Sequence, residues 1–151
     1  MTSMISLGFT TPLGRMRLTG DGTCLTALTW SDGPESTDAL LLEGRDQLLD
    51  YFAGRRHTFE LPLRADGTTV ERAVWQAMTE IPHGVTKSYG DLARKVGAAA
   101  RTVGAACGAN PLPILIPCHR VIASNGHLTG YSGKGGLEPK IWLLRHERAL
   151  L

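Results

Sequence analysis

The sequence predicts an α/β (α+β) chain: a small N-terminal antiparallel sheet with one helix, then a mainly helical C-terminal half containing a helix-turn-helix unit. Three observations carry that expectation. Short apolar runs separated by turn residues fill the first third, two capping-box spacings open helices in the second half, and the charge balance reverses between the halves. The chain has 151 residues, 42% apolar and 20% charged, the size of one globular domain or two small lobes. Its net charge of +2 is too small to indicate a polyanionic partner. The distribution says more: residues 1–66 hold six basic and nine acidic side chains, whereas residues 67–151 hold ten and five. The second half is the candidate surface for a polyanion, and the lobe boundary is placed at the polar stretch 64–67, between residues 66 and 67.

The first strands are expected at 5–9, 16–18 and 25–30, separated by Thr11-Pro12-Leu13-Gly14 and Gly20-Asp21-Gly22. Between 37 and 54 the apolar residues Leu41, Leu42, Leu48, Leu49 and Phe52 recur at helical spacing, with Gly54 as the stop. Thr68 and Glu71 form a capping-box spacing ahead of the stripe Val70, Val74, Ala77, Met78 and Ile81, and Pro82-His83-Gly84 ends that helix. Ser88 and Asp91 repeat the spacing before a short helix through Val96. Gly97 makes a turn, and 98–109 is helix-compatible, so the two helices resemble a helix-turn-helix. Ile114-Leu115-Ile116, framed by Pro111, Pro113 and Pro117, reads as a buried strand. Asn125-Gly126 is a hairpin signal, and the glycine-rich run 130–136 is suited to a rim that closes over a ligand. A final helix is expected over 137–149, with Pro139 tolerated in its first turn.

Cys24, Cys107 and Cys118 are an odd count with no CxxC pair, which fits neither a disulfide framework nor a cysteine-rich zinc site. No stretch approaches the ~20 apolar residues that span a bilayer, and the first residues lack a secretory pattern. The expectation is a soluble, cytoplasmic protein without a metal site.

Pro117-Cys118-His119-Arg120 places a thiol, an imidazole and a guanidinium in sequence where an apolar run ends. A free thiol is only a few per cent ionised at neutral pH, so nucleophilic use needs a proton acceptor. His119 can be one, given a turn or a bridging water. A buried inert cysteine beside a satisfied histidine explains the same residues equally well. Asn110 is placed to tie turns together near the thiol, or simply to stop a helix. Glu147 is an ordinary surface carboxylate unless it folds back onto His119 as the third member of a relay. The segment 98–109 offers small side chains and one arginine, Arg101. That allows close approach to a minor groove, although composition alone favours an Ala-rich core helix with Arg101 on its wet side.

Pro117-Cys118-His119-Arg120-Val121-Ile122, preceded by Asn110-Pro111-Leu112-Pro113-Ile114-Leu115-Ile116, closely resembles the active-site signature of the O6-alkylguanine-DNA alkyltransferases. The likeness extends through Val74-Trp75, Ile81-Pro82-His83-Gly84, Ser88-Tyr89-Gly90, Ala100-Arg101, Gly130-Tyr131-Ser132-Gly133 and Trp142-Leu143-Leu144-Arg145-His146-Glu147. The resemblance implies a ribonuclease-H-like N-terminal lobe and a C-terminal DNA-binding alkyltransferase domain. It implies direct-reversal repair: one irreversible transfer of a methyl or small alkyl group from O6-alkylguanine, and by extension O4-alkylthymine, in double-stranded DNA to Cys118 after base flipping. It makes His119 the base, Glu147 its orienting partner, Asn110 a turn-stabilising residue and Tyr89 a donor to the departing guanine. Arg101 would fill the gap left by the extruded base, with Ala100, Thr102, Gly104, Ser88 and Arg120 at the DNA. Tyr131, Val121, Ser132, Gly133 and Pro113 would line the base pocket. The family pattern implies no cofactor, no metal in this chain and a monomer. A lesion-binding module without transfer and a cysteine hydrolase are the competing readings; the first lacks an acceptor cysteine, and the second lacks a recognisable oxyanion-hole motif here.

Overall fold

A computed structural model of the chain describes residues 3–123 and 138–149. The chain divides into two compact units, Met1–Ala65 and Asp66–Leu151.

In the first unit β1 (Ile5–Thr11), β2 (Gly14–Gly20) and β3 (Leu25–Thr29) form an antiparallel sheet in that order. The β1–β2 turn is closed by Thr11, whose Oγ1 donates to the Gly14 carbonyl at 2.9 Å and accepts from the Leu13 N–H at 3.0 Å. Leu7, Phe9, Met16 and Leu18 alternate inward along the two strands and are buried, the period expected of a sheet covered on one face. Helix α1 (Ala39–Phe52), capped by Asp38, covers that face. Gly44 lets the helix approach: a Cβ there would lie 2.6 Å from Leu18 Cδ2. Asp21 is buried beside β2, where it accepts from Thr23 and Cys24 and pairs with Arg64. The backbone N–H groups of Cys24 and Thr23 are the main reason its carboxyl is lowered to about 2.

In the second unit both capping boxes are formed. Thr68 and Glu71 open α2 (Thr69–Thr79), and Ser88 and Asp91 open α3 (Tyr89–Val96). Val74, Trp75, Ala77, Met78 and Ile81 are buried as one stripe, but Val70 is 44% exposed. It sits in the first turn, where the helix has not yet reached the core, so its helical spacing does not translate into burial. Gly97 (φ 73°) reverses the chain into α4 (Ala100–Gly108), giving the expected helix-turn-helix. The indole N–H of Trp75 donates to the Ala106 carbonyl at 2.8 Å and ties α4 to α2. The short strand β4 (Lys87–Ser88) pairs in parallel with β5 (Val121–Ile122), which joins the start of α3 to the segment carrying Cys118. Helix α5 (Glu138–His146) closes the unit, with Pro139 in its first turn as expected.

Ile114-Leu115-Ile116 is not the expected strand. It forms a tight reversal bracketed by a single bridge between Pro113 and Ile116, with Ile114 at φ 75°. Pro113 and Pro117 have no N–H to give a ladder, so the backbone bonds within the turn instead. The Asn125-Gly126 hairpin, the run 130–136 and the pocket residues Tyr131, Ser132 and Gly133 lie outside the described residues. Among the described residues no helix is long and apolar enough to cross a membrane.

Candidate active site

The turn that presents Cys118 is organised by Asn110. Its amide donates to the Ile116 carbonyl and its side-chain oxygen accepts from the Leu112 N–H, both at 2.9 Å. The Ile116 carbonyl also receives the Cys118 N–H at 2.8 Å, while the Ile116 N–H donates back to Leu112. One buried side chain thus satisfies the polar groups of a reversal that contains a β-branched residue at positive φ, a conformation that persists only where its surroundings over-determine it. Cys118, His119 and Arg120 then form one turn of 3-10 helix, closed by the Val121 N–H donating to the Cys118 carbonyl.

All three side chains point inward. Cys118 is 3% exposed and His119 fully buried. Glu147 follows α5 and is buried rather than the surface carboxylate that its setting among arginines suggests. Its Oε2 lies 2.7 Å from His119 Nε2. Arg120 grips the same carboxylate through two bonds, Nε to Oε1 at 2.8 Å and an Nη to Oε2 at 2.9 Å, and donates to the Ile81 carbonyl at 2.7 Å. Arg120 was expected at the DNA. It is instead committed to the buried Glu147 carboxylate, which balances the charge of its guanidinium.

The charge states follow. Burial alone would raise the Glu147 carboxyl, but the bonds from His119 and Arg120 outweigh it and hold the acid well below the ordinary range. Burial lowers His119 despite the opposing pull of Glu147, so its ring is neutral near pH 7. A neutral imidazole bonded to a carboxylate through Nε2 carries its proton there, which makes Nδ1 the basic nitrogen. Burial pushes the Cys107 thiol up to about 12, so it stays protonated.

The helix-turn-helix presents a different surface. On α4, Val103, Ala106 and Cys107 face the core, while Ala100, Arg101, Thr102 and Gly104 are exposed. A Cβ built on Gly104 or Gly108 meets nothing within 4 Å, so the fold does not demand small residues at those two positions. Ser88 Oγ accepts from the Asp91 N–H at 2.9 Å as the α3 cap. Tyr89, the first residue of α3, is half-buried. Pro113 is buried within the Asn110 turn, and Val121 lies on β5.

Family models match both units: the 6-O-methylguanine DNA methyltransferase DNA-binding domain over residues 69–149 and the ribonuclease-like domain of the same family over residues 8–65. The chain belongs to the 6-O-methylguanine DNA methyltransferase family. It is a DNA-repair enzyme that transfers methyl groups from methylated DNA to a protein cysteine. It is 42% identical to the constitutive methylated-DNA–protein-cysteine methyltransferase of Bacillus subtilis, over 91% of this chain and 92% of that one. The crystal structure of the Mycobacterium tuberculosis O6-methylguanine methyltransferase superposes with a TM-score of 0.87 at 38% identity, covering 97% of this chain and 94% of that one. The same organism's OGT, solved in complex with DNA, gives a TM-score of 0.84 at 40% identity, with coverages of 95% and 92%. The α+β architecture agrees with these relatives.

One buried charged group was missed from the sequence. Lys140 is 1% exposed, and its ammonium donates to the Val121 carbonyl at 2.6 Å. A signal was present: Lys140, Leu143, Leu144 and Glu147 recur at i, i+3, i+4 and i+7, which places a lysine on the inward face of α5. Among the described residues no group of three or more His, Cys, Asp or Glu side chains is placed to hold a metal ion.

Proposed function

We propose that Cys118 accepts a methyl or small alkyl group from O6 of alkylguanine in double-stranded DNA, once per protein molecule, acting as a monomer without a cofactor. The observation that carries this reading is a thiol adjacent in sequence to a fully buried histidine whose Nε2 lies 2.7 Å from a buried carboxylate. The thiol proton passes through a water to His119 Nδ1. A sulfur lone pair then forms the S–C bond as the C–O6 bond breaks. Guanine leaves with that electron pair and receives a proton at a ring nitrogen from the Tyr89 phenol, and the resulting phenolate and the His119 imidazolium return to neutrality by proton exchange with solvent. The thioether has no leaving group that water can displace, so the protein is consumed. Residues 67–151 act as the DNA-binding alkyltransferase domain and residues 1–66 as the ribonuclease-H-like lobe. The acceptor thiol must stay reduced, which fits a cytoplasmic setting. Intact mass after incubation with O6-methylguanine duplex should rise by one methyl, mapped to Cys118. A methyl on another residue, or multiple turnover, would overturn the assignment.

An alkyl carbon on O6 lies inside the duplex, so the nucleotide must be extruded at a cost of a few kcal/mol. Arg101, exposed on α4, is assigned the space the base leaves. Arg101→Ala should slow repair in duplex DNA by roughly tenfold or more, since that corresponds to losing only about 1.4 kcal/mol of support for the extruded state. Reaction with free O6-benzylguanine should be nearly unchanged. Equal losses on both substrates would remove Arg101 from this role.

The open space above Gly104 makes a second, opposite-signed expectation. Gly104→Leu should raise thermal stability, by about 0.5–1 kcal/mol, because leucine is a far better helix former. The same change should weaken duplex binding several-fold by holding α4 off the groove. Unaltered affinity in a titration with labelled duplex would show that this face does not meet DNA.

A further inference from the structure

We infer that Gly84 is a positioning residue of the Cys118 reaction: its bare backbone lets the end of α5 seat Glu147 against His119. The inference rests on His119 and Glu147 serving Cys118. After α2 the Val85 N–H donates to the Pro82 carbonyl at 3.1 Å, and Gly84 takes a φ of 84° as the third residue of that turn, the position of a type II turn that needs the left-handed region. The segment touches both members of the buried ion pair. The Ile81 carbonyl accepts from Arg120 at 2.7 Å, and the Gly84 N–H is directed at Glu147 Oε1, 3.5 Å away. A Cβ on Gly84 would lie 3.2 Å from the backbone carbonyl oxygen of Glu147, inside ordinary van der Waals contact.

Both sides of this contact are held. The Glu147 N–H donates to Leu143 at 3.0 Å, and those of Arg148 and Ala149 donate back to Arg145 and Leu144 at 3.0 and 2.8 Å, with Arg148 at φ 59°. The end of α5 is thus a closed left-handed cap. On the other side, Arg120 grips Ile81, and β4, just beyond the turn, pairs with β5, just beyond Arg120. The turn therefore rides on the stretch of chain that carries Cys118 and His119. A side chain at Gly84 could be relieved only by shifting Glu147 a few tenths of an ångström relative to that stretch. The shift would fall on the 2.7 Å bond between Glu147 Oε2 and His119 Nε2. Gly54, after α1, has the same backbone conformation, φ 78°, but nothing within 4 Å of a Cβ. Substitution there brings the strain without the neighbour.

The test compares Gly84→Ala with Gly54→Ala in the full chain. Both put an L side chain at a left-handed position and should lower the thermal midpoint to a similar extent. Only Gly84→Ala should slow transfer. Its single-turnover rate at saturating O6-methylguanine duplex should fall about tenfold, the scale of a sub-ångström misplacement, while the duplex concentration giving half the maximal rate stays as in wild type. The Nε2 proton of His119, read by NMR in histidine-labelled protein without DNA, should move upfield as its bond to Glu147 lengthens, and should stay in place in Gly54→Ala. Gly84→Asn separates backbone from side chain, because asparagine tolerates a positive φ yet brings a Cβ. It should regain stability and remain slow. A Gly84→Ala or Gly84→Asn protein with the wild-type rate or an unmoved His119 resonance, or an equal loss of rate in Gly54→Ala, would overturn the proposal. Should Gly84→Ala not fold, Gly84→Asn decides alone on the same two readings. A methyl mapping to a residue other than Cys118 would instead strike the acceptor assignment, and the His119 resonance would still judge Gly84.

Discussion

Cys118→Ala should abolish alkyl transfer entirely and leave binding to O6-methylguanine duplex within a few-fold of wild type. The side chain is 3% exposed and contributes one sulfur atom to the core, so truncation removes little buried volume and should cost on the order of 1 kcal/mol. The surface assigned to DNA lies on α4, where Arg101, Thr102 and Gly104 are exposed, and it does not depend on the sulfur. The turn is likewise preserved, since the bonds of Asn110 run to the backbone of Leu112 and Ile116 rather than to the thiol. Mass spectrometry and a duplex titration on one preparation check both halves of this expectation. Loss of binding together with transfer would mean that Cys118 is needed for the fold.

Glu147→Gln should have the largest combined effect on stability and rate. Glu147 orients His119, and it is also the counter-charge of a buried arginine whose Nε and Nη both rest on it. An amide leaves Arg120 uncompensated at 6% exposure, a situation that costs about 3–5 kcal/mol. It also leaves the imidazole without the carboxylate that sets its tautomer, and weakened general-base assistance should slow transfer by about 100-fold or more. Urea unfolding and a single-turnover rate measure the two separately. Pairing the change with Arg120→Met should recover much of the stability but not the rate, because the buried charge is gone while His119 remains unsupported. Recovery of both would show that Glu147 acts on the fold alone.

The same pair sets the acid limb of stability. Glu147 is lowered in the fold, so its stabilisation is complete above the ordinary glutamate range and is lost as pH falls through the depressed value. His119 is also lowered from 6.5. Below that pH the unfolded chain binds a proton that the folded ring resists, so stability again falls with acid. Both contributions have one sign, and unfolding free energy should decline continuously from near neutrality downward.

Local signals were legible in the sequence because they act within one turn of chain. Thr68 with Glu71 and Ser88 with Asp91 start their helices where the spacing places them, Gly97 and Gly54 take the positive φ of helix stops, and the alternating residues of β1 and β2 face the core. The Cys118-His119 neighbours and Asn110 were legible as a thiol, a base and a turn former for the same reason. Partnerships between distant residues were not. Glu147 reaches back 28 residues to His119 and 27 to Arg120, and Arg120 reaches 39 to Ile81. Whether each is a surface charge or a buried one depends on how α5 and the 3-10 turn meet. Lys140 carried the helical spacing of a core position but the chemistry of a surface one, and only its packing under Val121 and Tyr89 resolves that conflict. Ile114-Leu115-Ile116 has the composition of a strand, yet the flanking prolines and the reach of Asn110 across six residues make it a reversal. Short-range hydrogen bonding and side-chain periodicity are properties of the chain; burial, counter-charges and protonation states belong to the surroundings that tertiary packing creates.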